Sequence, residues 1–550
     1  MRNSPVWASM LGDRRFNQSW SDLSPEAFAA YTAGDKQALS ELSEIDRAQL
    51  SKEEQINYDL FKLRYEDRIE RSGFSPHLIP ISQRGGIQTL DERASRLRLM
   101  EAQDFEDWLA RLDKIDVLMD QTIALMDEGI ATGILPPKAT MQRVPAQIKK
   151  QLVKRPEDSL FYKVFKELPS GIPKSDAVRI QSRAREVISS KVIPAYQRLN
   201  AYFNEVYYPA CRDSFGVADL PNGKRYYEYL VKRFTTTDMT PDEVHQIGLR
   251  EVKRIRDEME SAITESGFEG DFDEFVHFLR TDPQFYYDTP EALFEGYLAM
   301  SKRLDPELVH LFGKLPRMPY GLKKIPDVSA PDTTTAYYSR PAADGSRAGY
   351  YYVNLYKPET RPKWEMAVLS VHESVPGHHI QIALQQELEQ LPNFRRYSGF
   401  TVFVEGWGLY SERLGYDMGL YDDPYDRFGQ LTYDMWRAVR LVVDTGMHYK
   451  GWSRQRAIDY FKSNAPKSEL DIINEIDRYI SMPGQALAYK IGQLKILELR
   501  AEAEKRLGED FDIRAFHDVV LGSGAIPLDV LQATVHDWLD QQTTNLDNRS

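Results

Sequence analysis

Val371-His372-Glu373-Ser374-Val375-Pro376-Gly377-His378-His379 holds three of the ten histidines in a chain of 550 residues. Random placement would put about 0.15 histidine in an eight-residue window, so the cluster calls for a chemical reason. A helical pattern resumes at Trp364 and runs into this stretch. It cannot continue as a regular helix, because the Pro376 ring would clash with the carbonyl of His372. On an ideal helix His372 and His378 would lie roughly 9 Å apart along the axis and about 120° apart around it. They converge only if Pro376 and Gly377 form a bulge or break, and Gly377 permits the dihedrals this needs. A break that absorbs two residues puts His378 in the place of an i+4 partner, whereas absorbing three selects His379. The reading preferred is His378, with His379 as the alternative.

A His followed directly by Glu, then by another His, is the skeleton of the gluzincin helix. There two histidines one turn apart hold zinc, and the Glu beside the first polarises the attacking water. Here that makes His372 and His378 ligands and Glu373 the general base. Zinc held for hydrolysis keeps three protein ligands and one water, and in gluzincins the third ligand is a Glu on a following helix. Glu405 is the candidate. It sits on the apolar segment Phe400–Leu414, among Phe403, Val404, Trp407 and Leu409, where an unpaired carboxylate would be costly. Glu412 lies two turns further along the same face, to orient a histidine or to pair with Arg413.

Downstream, Arg437, Arg440, Asp444 and His448 recur at three- and four-residue steps and share one helical face. Asp444 is placed to orient His448, which could then donate to an oxyanion. Tyr489 follows Gln485 by four residues and shares its face if a helix starts near Pro483-Gly484. Upstream, Pro316, Pro319, Pro326, Pro331 and Pro341 break any helix between about 315 and 363. The Tyr-rich runs Ala336–Ser339 and Tyr350–Tyr356 flank the turn-like Ala342–Ser346, which reads as a hairpin. As an edge strand, Tyr350–Leu355 could pair with an extended peptide, with Asn354 adding a side-chain contact.

His-Glu-x-x-Pro-Gly-His-His resembles the signature of the bacterial family known as domain of unknown function 885. Gly349–Leu355, Val404–Tyr410, Val443–His448 and Arg478–Ala486 are similar to it too, so the likeness is dense from about residue 315 to the end. The resemblance implies a zinc metallopeptidase with one Zn2+ per chain and a peptide substrate. It implies a mostly helical fold of the oligopeptidase type, two-lobed with a deep channel. It also favours Tyr489 as the donor that stabilises the transition state. By residue type alone, Arg440 or Arg478 would hold a substrate carboxylate bidentately, with Gln485 beside them, as a carboxypeptidase or an oligopeptidase acting on short peptides requires.

Most of the first three hundred residues read as amphipathic helices: Leu90–Met126, Ala177–Tyr207, Pro241–Ser266 and Pro290–Phe312. Thr240-Pro241-Asp242-Glu243 and Thr289-Pro290-Glu291 are helix starts. The fold class expected is mainly α, with a small antiparallel β hairpin before the metal-binding helix. Composition divides the chain into an N-terminal helical lobe, 1–314, and a catalytic lobe, 315–550, interlocked as one unit. A net charge of −13 excludes a nucleic-acid partner, because phosphate binding needs a cationic face. The single cysteine, Cys211, excludes an intramolecular disulfide and a Cys-built zinc site, which leaves His and Glu as ligands. No apolar run approaches the ~18 residues of a membrane span. Met1–Pro5 does not read as a signal peptide, which fits the cytoplasm, or a bacterial periplasm or envelope if the chain is processed or truncated. The oligomeric state stays open, a homodimer included. Two rival readings remain: a di-iron bundle built on Glu274-x-x-His277 and Glu307-x-x-His310, and a non-catalytic zinc- or peptide-binding protein. Hydrolysis of a non-peptide amide is a third outcome of the same site.

Overall fold

The computed structural model describes residues 3–10, 12–327, 330, 334–342, 345 and 347–547. The chain divides into two compact units, Met1–Tyr226 and Tyr227–Ser550. The compositional break at 314/315 falls inside the second unit, where helices give way to a sheet.

In the first unit, helices Ala102–Leu112 and Ile115–Thr132 give Phe105, Trp108, Leu109, Leu112, Met119 and Met126 to one core. Ile180, Ala184 and Val187 of Lys174–Val187 pack into it with Tyr196 and Leu199 of Ile193–Tyr202. The helical periodicity of 90–126 is thus realised in pieces. A 3-10 stretch, Ile87–Arg96, precedes the helices, and the Asp104 carboxylate accepts the backbone N–H groups of Met100 and Glu101. That cap starts the next helix at Ala102.

The second unit opens with long helices whose starts are legible in the sequence. Helix α1, Pro241–Glu265, is closed by a capping box between Thr240 and Glu243, and α2, Pro290–Leu304, begins where the Thr289 hydroxyl accepts from the Ala292 N–H. Three strands follow: β1, Tyr320–Lys324; β2, Ala336–Ser339; and β3, Gly349–Val353. Their order is β1-β3-β2, with β1 parallel and β2 antiparallel to β3. The expected hairpin is present, and residues 343, 344 and 346 of its connection lie outside the described residues. Strand β1 was not expected, since Tyr-Gly-Leu-Lys-Lys sits in a Pro-rich stretch that reads as linker. It covers the second side of β3, so Gly349–Val353 is the central strand and not an edge, and the antiparallel edge belongs to β2. Along β3 the side chains alternate: Tyr351 and Val353 are buried against Leu293, Tyr297, Met366 and Leu369, while Tyr350 and Tyr352 are partly exposed.

Helices then continue to the end: α3, Met366–Glu373; α4, His378–Glu387; α5, Thr401–Asp417; α6, Pro424–His448; α7, Glu469–Ser481; and α8, Ala488–Leu507. Two further helices, Ile513–Gly522 and Leu528–Asp547, follow. Among the described residues, no helix is long and apolar enough to cross a membrane. Glycines set the closest crossings. A β-carbon on Gly248 of α1 would lie 2.7 Å from Leu441 Cβ of α6, and one on Gly406 of α5 would lie 2.6 Å from Gly492 Cα of α8.

The α5–α8 crossing therefore has no room for a methyl group. On Gly492 it would collide with the Val402 carbonyl oxygen and lie 2.7 Å from Gly406 Cα, both backbone atoms that cannot turn aside. Gly492→Ala should destabilise the protein by roughly 2 kcal/mol. In thermal unfolding its midpoint should fall, whereas Gly522→Ala, with nothing within 4 Å of the new methyl, should not lower it.

Candidate metal centre

The motif folds as two helices, not one. Helix α3 ends at Glu373, the Val375–Pro376 peptide is cis, and α4 starts at His378. Across the break the Gly377 N–H donates to the Val371 carbonyl (3.0 Å) and the His379 N–H to the Ser374 carbonyl (2.9 Å). A side chain on Gly377 would run into the carbonyl oxygens of Val371 and His372. The Trp407 indole N–H reaches over from α5 to the Pro376 carbonyl, 3.0 Å away. The outcome is that the His372 and His378 rings meet edge to face, their centroids 4.7 Å apart.

Glu405 completes the group. Its Oε2 lies 3.9 Å from His372 Nε2 and 3.6 Å from His378 Nε2, and the three candidate ligand atoms all fall within 4.8 Å of one another. These separations are too long for hydrogen bonds and suit a cation between them. A tetrahedral zinc with bonds of about 2.1 Å spaces its ligands by roughly 3.4 Å. Gly408, three residues after Glu405, leaves the rings their space: a β-carbon there would lie 2.9 Å from His372 Cε1 and 3.2 Å from His378 Cε1.

Glu412 orients the first histidine and does not pair with Arg413 as a surface acid. It is fully buried, and its Oε1 is 2.8 Å from His372 Nδ1. A proton on Nδ1 shared with that carboxylate leaves the Nε2 lone pair facing Glu405 and His378. Burial pushes the Glu412 carboxyl up to about 8, against the pull of the Arg437 guanidinium 3.4 Å away. Burial likewise holds His372 well below its ordinary value, and His378 adds to this.

Glu373 projects from the end of α3. Burial raises its carboxyl above the usual range, while His378 and a hydrogen bond from the Tyr338 backbone N–H pull the other way. Tyr489, in the first turn of α8, is carried towards Glu405 by the Gly406–Gly492 crossing. Burial raises its phenol, the Glu405 charge adds to that, and Gln485 hydrogen-bonds its hydroxyl. The Arg440 guanidinium lies over the Tyr489 ring, 4.4 Å from the centroid.

Arg440 is otherwise engaged, donating through Nε to the Tyr479 hydroxyl (2.8 Å) and through Nη2 to Glu475 (3.2 Å). Arg478 binds Glu475 as well and donates to Gln485 Oε1 at 2.9 Å. Burial alone would raise Glu475, but Arg478 and Arg440 together pull it down to about 2. These residues gather around Tyr489. Three others named from sequence do not join the cluster. His448 is buried with its Nε2 3.0 Å from the Tyr479 carbonyl and its ring beside Tyr227. It lies about 16 Å further along the α6 axis than Arg437. Asp444 accepts from the Tyr227 hydroxyl (2.5 Å) and the Gly484 N–H (3.0 Å). Asn354 is fully buried, its amide donating to the Ala330 and Thr334 carbonyls and its Oδ1 accepting from the Tyr356 N–H. Nor does His379 join: Tyr338 and the Met318 carbonyl occupy its two ring nitrogens.

The two Glu-x-x-His pairs are surface features. Glu274 closes the capping box of helix Phe272–Thr281, and both His277 and His310 are exposed. What sequence reading missed is a buried ionic network behind Tyr489. Lys490 Nζ contacts Asp434 (2.7 Å), Gln493 (2.9 Å) and Glu251 (2.9 Å), and Arg254 joins Asp434 at 3.1 Å. A lysine directly after Tyr489 on a helix bracketed by Ala486, Leu487, Ala488 and Ile491 was the available signal.

Fold and site together define a mainly helical protein with two buried histidines and a partly exposed glutamate gathered at a helix break. The family model described as "Bacterial protein of unknown function (DUF885)" matches residues 5–535, and the chain belongs to that family. Among solved structures it is similar to one described as a "putative lipoprotein" from Colwellia psychrerythraea, at 29% identity and a TM-score of 0.92, covering 98% of this chain and 96% of that one. A second, a "putative lipoprotein of unknown function" from Shewanella oneidensis, shares the fold at 17% identity and a TM-score of 0.76, covering 96% of each chain. No curated protein matches.

The geometry separates the two neighbouring histidines by a metal-binding measurement. His378→Ala should abolish binding of one zinc per chain, while His379→Ala should retain it, as read by elemental analysis after dialysis against zinc. Glu412→Gln should weaken affinity by about 10- to 100-fold.

Proposed function

We propose that this protein is a zinc-dependent hydrolase, and that its substrates are peptides. The observation that carries the reading is the convergence of His372, His378 and Glu405, with Glu373 beside them and the backbone of β2 next to Glu373. The donor set fits zinc, with two imidazole nitrogens and one carboxylate oxygen, one imidazole held in its tautomer by a buried carboxylate. When bound there, zinc supplies Lewis acidity that lowers the pKa of water and polarises a carbonyl.

The chain's own residues supply the rest. Glu373 takes a proton from the attacking water and passes it to the leaving amine. Its raised pKa suits that exchange better than an ordinary surface carboxylate would. Tyr489 donates from its hydroxyl to the carbonyl oxygen as charge develops there. His448, considered for the same task, has its Nε2 directed to the Tyr479 carbonyl, so Tyr489 is the donor in this reading. An extended substrate would lie along the outer edge of β2, not along β3, aligned by strand pairing outside the Tyr338 N–H that Glu373 takes. In this reading Arg478 and Gln485, which bind each other next to Tyr489, would meet a substrate carboxylate. C-terminal amidation should then slow cleavage.

The decisive variant is Glu373→Gln. It should keep one zinc per chain while hydrolysis of a peptide library, read by mass spectrometry, falls by about 10²- to 10⁴-fold. Undiminished cleavage by that variant would sink the mechanism, and zinc binding by a wild-type protein that cleaves nothing would favour a binding role.

A further inference from the structure

His379 is buried beside the metal cluster and faces away from it. Its Nε2 is 3.0 Å from the Met318 carbonyl oxygen, which can only accept, so Nε2 carries the proton. Nδ1 is then a bare acceptor, 2.8 Å from the Tyr338 hydroxyl, which donates to it. The ring also packs on Tyr320, with centroids 5.1 Å apart. At Gly349 a β-carbon would lie 2.9 Å from His379 Nδ1 and run into the Tyr338 hydroxyl, so the bond exists only because the central strand opens with glycine. One imidazole thus ties together the approach to β1, the start of β3 and the side chain of β2. Glu387, at the other end of α4, holds the same approach by accepting the N–H groups of Arg317 and Met318.

The register of β2 gives this strut a chemical consequence. The Asn354 N–H donates to the Thr335 carbonyl, so residues 335 and 354 form a hydrogen-bonded pair of the antiparallel ladder. Such pairs alternate with non-hydrogen-bonded ones. Tyr338, opposite Tyr351, falls in a non-bonded position, and its N–H therefore points off the sheet on the side away from β3. Helix α3, which ends at Glu373, packs against β2, and the Tyr338 N–H is among the groups that lower the Glu373 carboxyl. Side chain and backbone of one residue link His379 to the candidate base.

We propose that His379 is a positioning residue for Glu373: by holding the Tyr338 hydroxyl it fixes the strand whose backbone N–H orients the Glu373 carboxylate. The catalytic part of this inference rests on the hydrolase reading; the structural part does not. The third histidine of the motif then has a task that needs no metal, and displacement of the base by about 1 Å is enough to cost on the order of 100-fold in rate.

Two measurements on the zinc-loaded full chain test it. In steady-state hydrolysis, Tyr338→Phe and His379→Ala should each lower kcat by about 10- to 100-fold with KM little changed and one zinc retained, and His379→Gln, which can still accept from Tyr338, should recover part of the loss. Cleavage at the wild-type rate by both variants, or a loss that tracks loss of zinc, would overturn it. In hydrogen exchange read by mass spectrometry, the peptide spanning Ala336–Ser339 should be protected in the wild type and lose protection in His379→Ala and in Glu373→Ala. Unchanged exchange in both would overturn the link on its own. A wild type that cleaves no peptide would defeat the hydrolase reading alone, since the exchange measurement still decides whether His379 holds the strand.

Discussion

Gly377 is where the backbone leaves no space for a side chain, and the convergence of His372 and His378 depends on that. Its N–H closes on the Val371 carbonyl and its Cα sits against the carbonyls of Val371 and His372. A regular helix would have put His372 and His378 on different faces, so the break is what makes their rings neighbours. The cost of interrupting α3 is offset locally. The Ser374 hydroxyl donates to the Ser370 carbonyl, the His379 N–H to the Ser374 carbonyl, and the Trp407 indole to the Pro376 carbonyl. The carbonyls of Ser370, Val371, Ser374 and Pro376 thus keep donors across the break, as a buried helix end requires.

Around the break, buried charge is organised in pairs and triads whose members support one another. Glu475 holds Arg440 and Arg478 beside Tyr489, and Lys490 is held by Asp434 and Glu251. Such networks are weak as a source of stability, since desolvation takes back most of the Coulomb energy. Their effect is geometric: each charged group fixes the rotamer of the next. Helix α8 enters the site at Tyr489 and is anchored one residue later by Lys490. Under the proposed hydrolase reading, a phenol held this way would need little reorganisation to donate to a developing charge.

Much of this was legible because it depends on local chemistry. Histidine spacing and the Pro-Gly pair predicted a break, the apolar setting of Glu405 marked it as an acid that needs a partner, and Thr240 and Thr289 marked helix starts. The sheet shows where sequence reading stops. Ala336–Ser339 and Gly349–Val353 announce themselves by tyrosine and valine, but Tyr320–Lys324 carries two lysines and a glycine between prolines, and its pairing with β3 is parallel and non-local. No local pattern reports such a contact, so the central strand was read as an edge. The division of 90–126 was hidden for a similar reason: the hydrophobic periodicity persists across the gap, and only the Asp104 cap shows that the backbone there is not helical. Likewise Asn354 and His448 have the right residue types for a site, but their partners are carbonyls distant in sequence, which spacing alone cannot disclose.

Three carboxylates near the histidines illustrate how surroundings divide labour among identical groups. Glu405 faces both Nε2 atoms and keeps some exposure, Glu412 lies fully buried on Nδ1 of His372, and Glu373 meets a backbone N–H at a strand edge. Only the first is positioned to share an ion with two imidazoles. The second can act on that ion only through His372, and the third meets the backbone of β2. Arg437 is the cation nearest Glu412, and its pull does not overcome burial. A divalent cation among His372, His378 and Glu405 would add positive charge on the far side of the imidazole and favour the ionised form of the carboxylate behind it. The ion and Glu412 would then stabilise each other through one ring, and a buried acid that is a liability on its own would favour an ion among the three ligands.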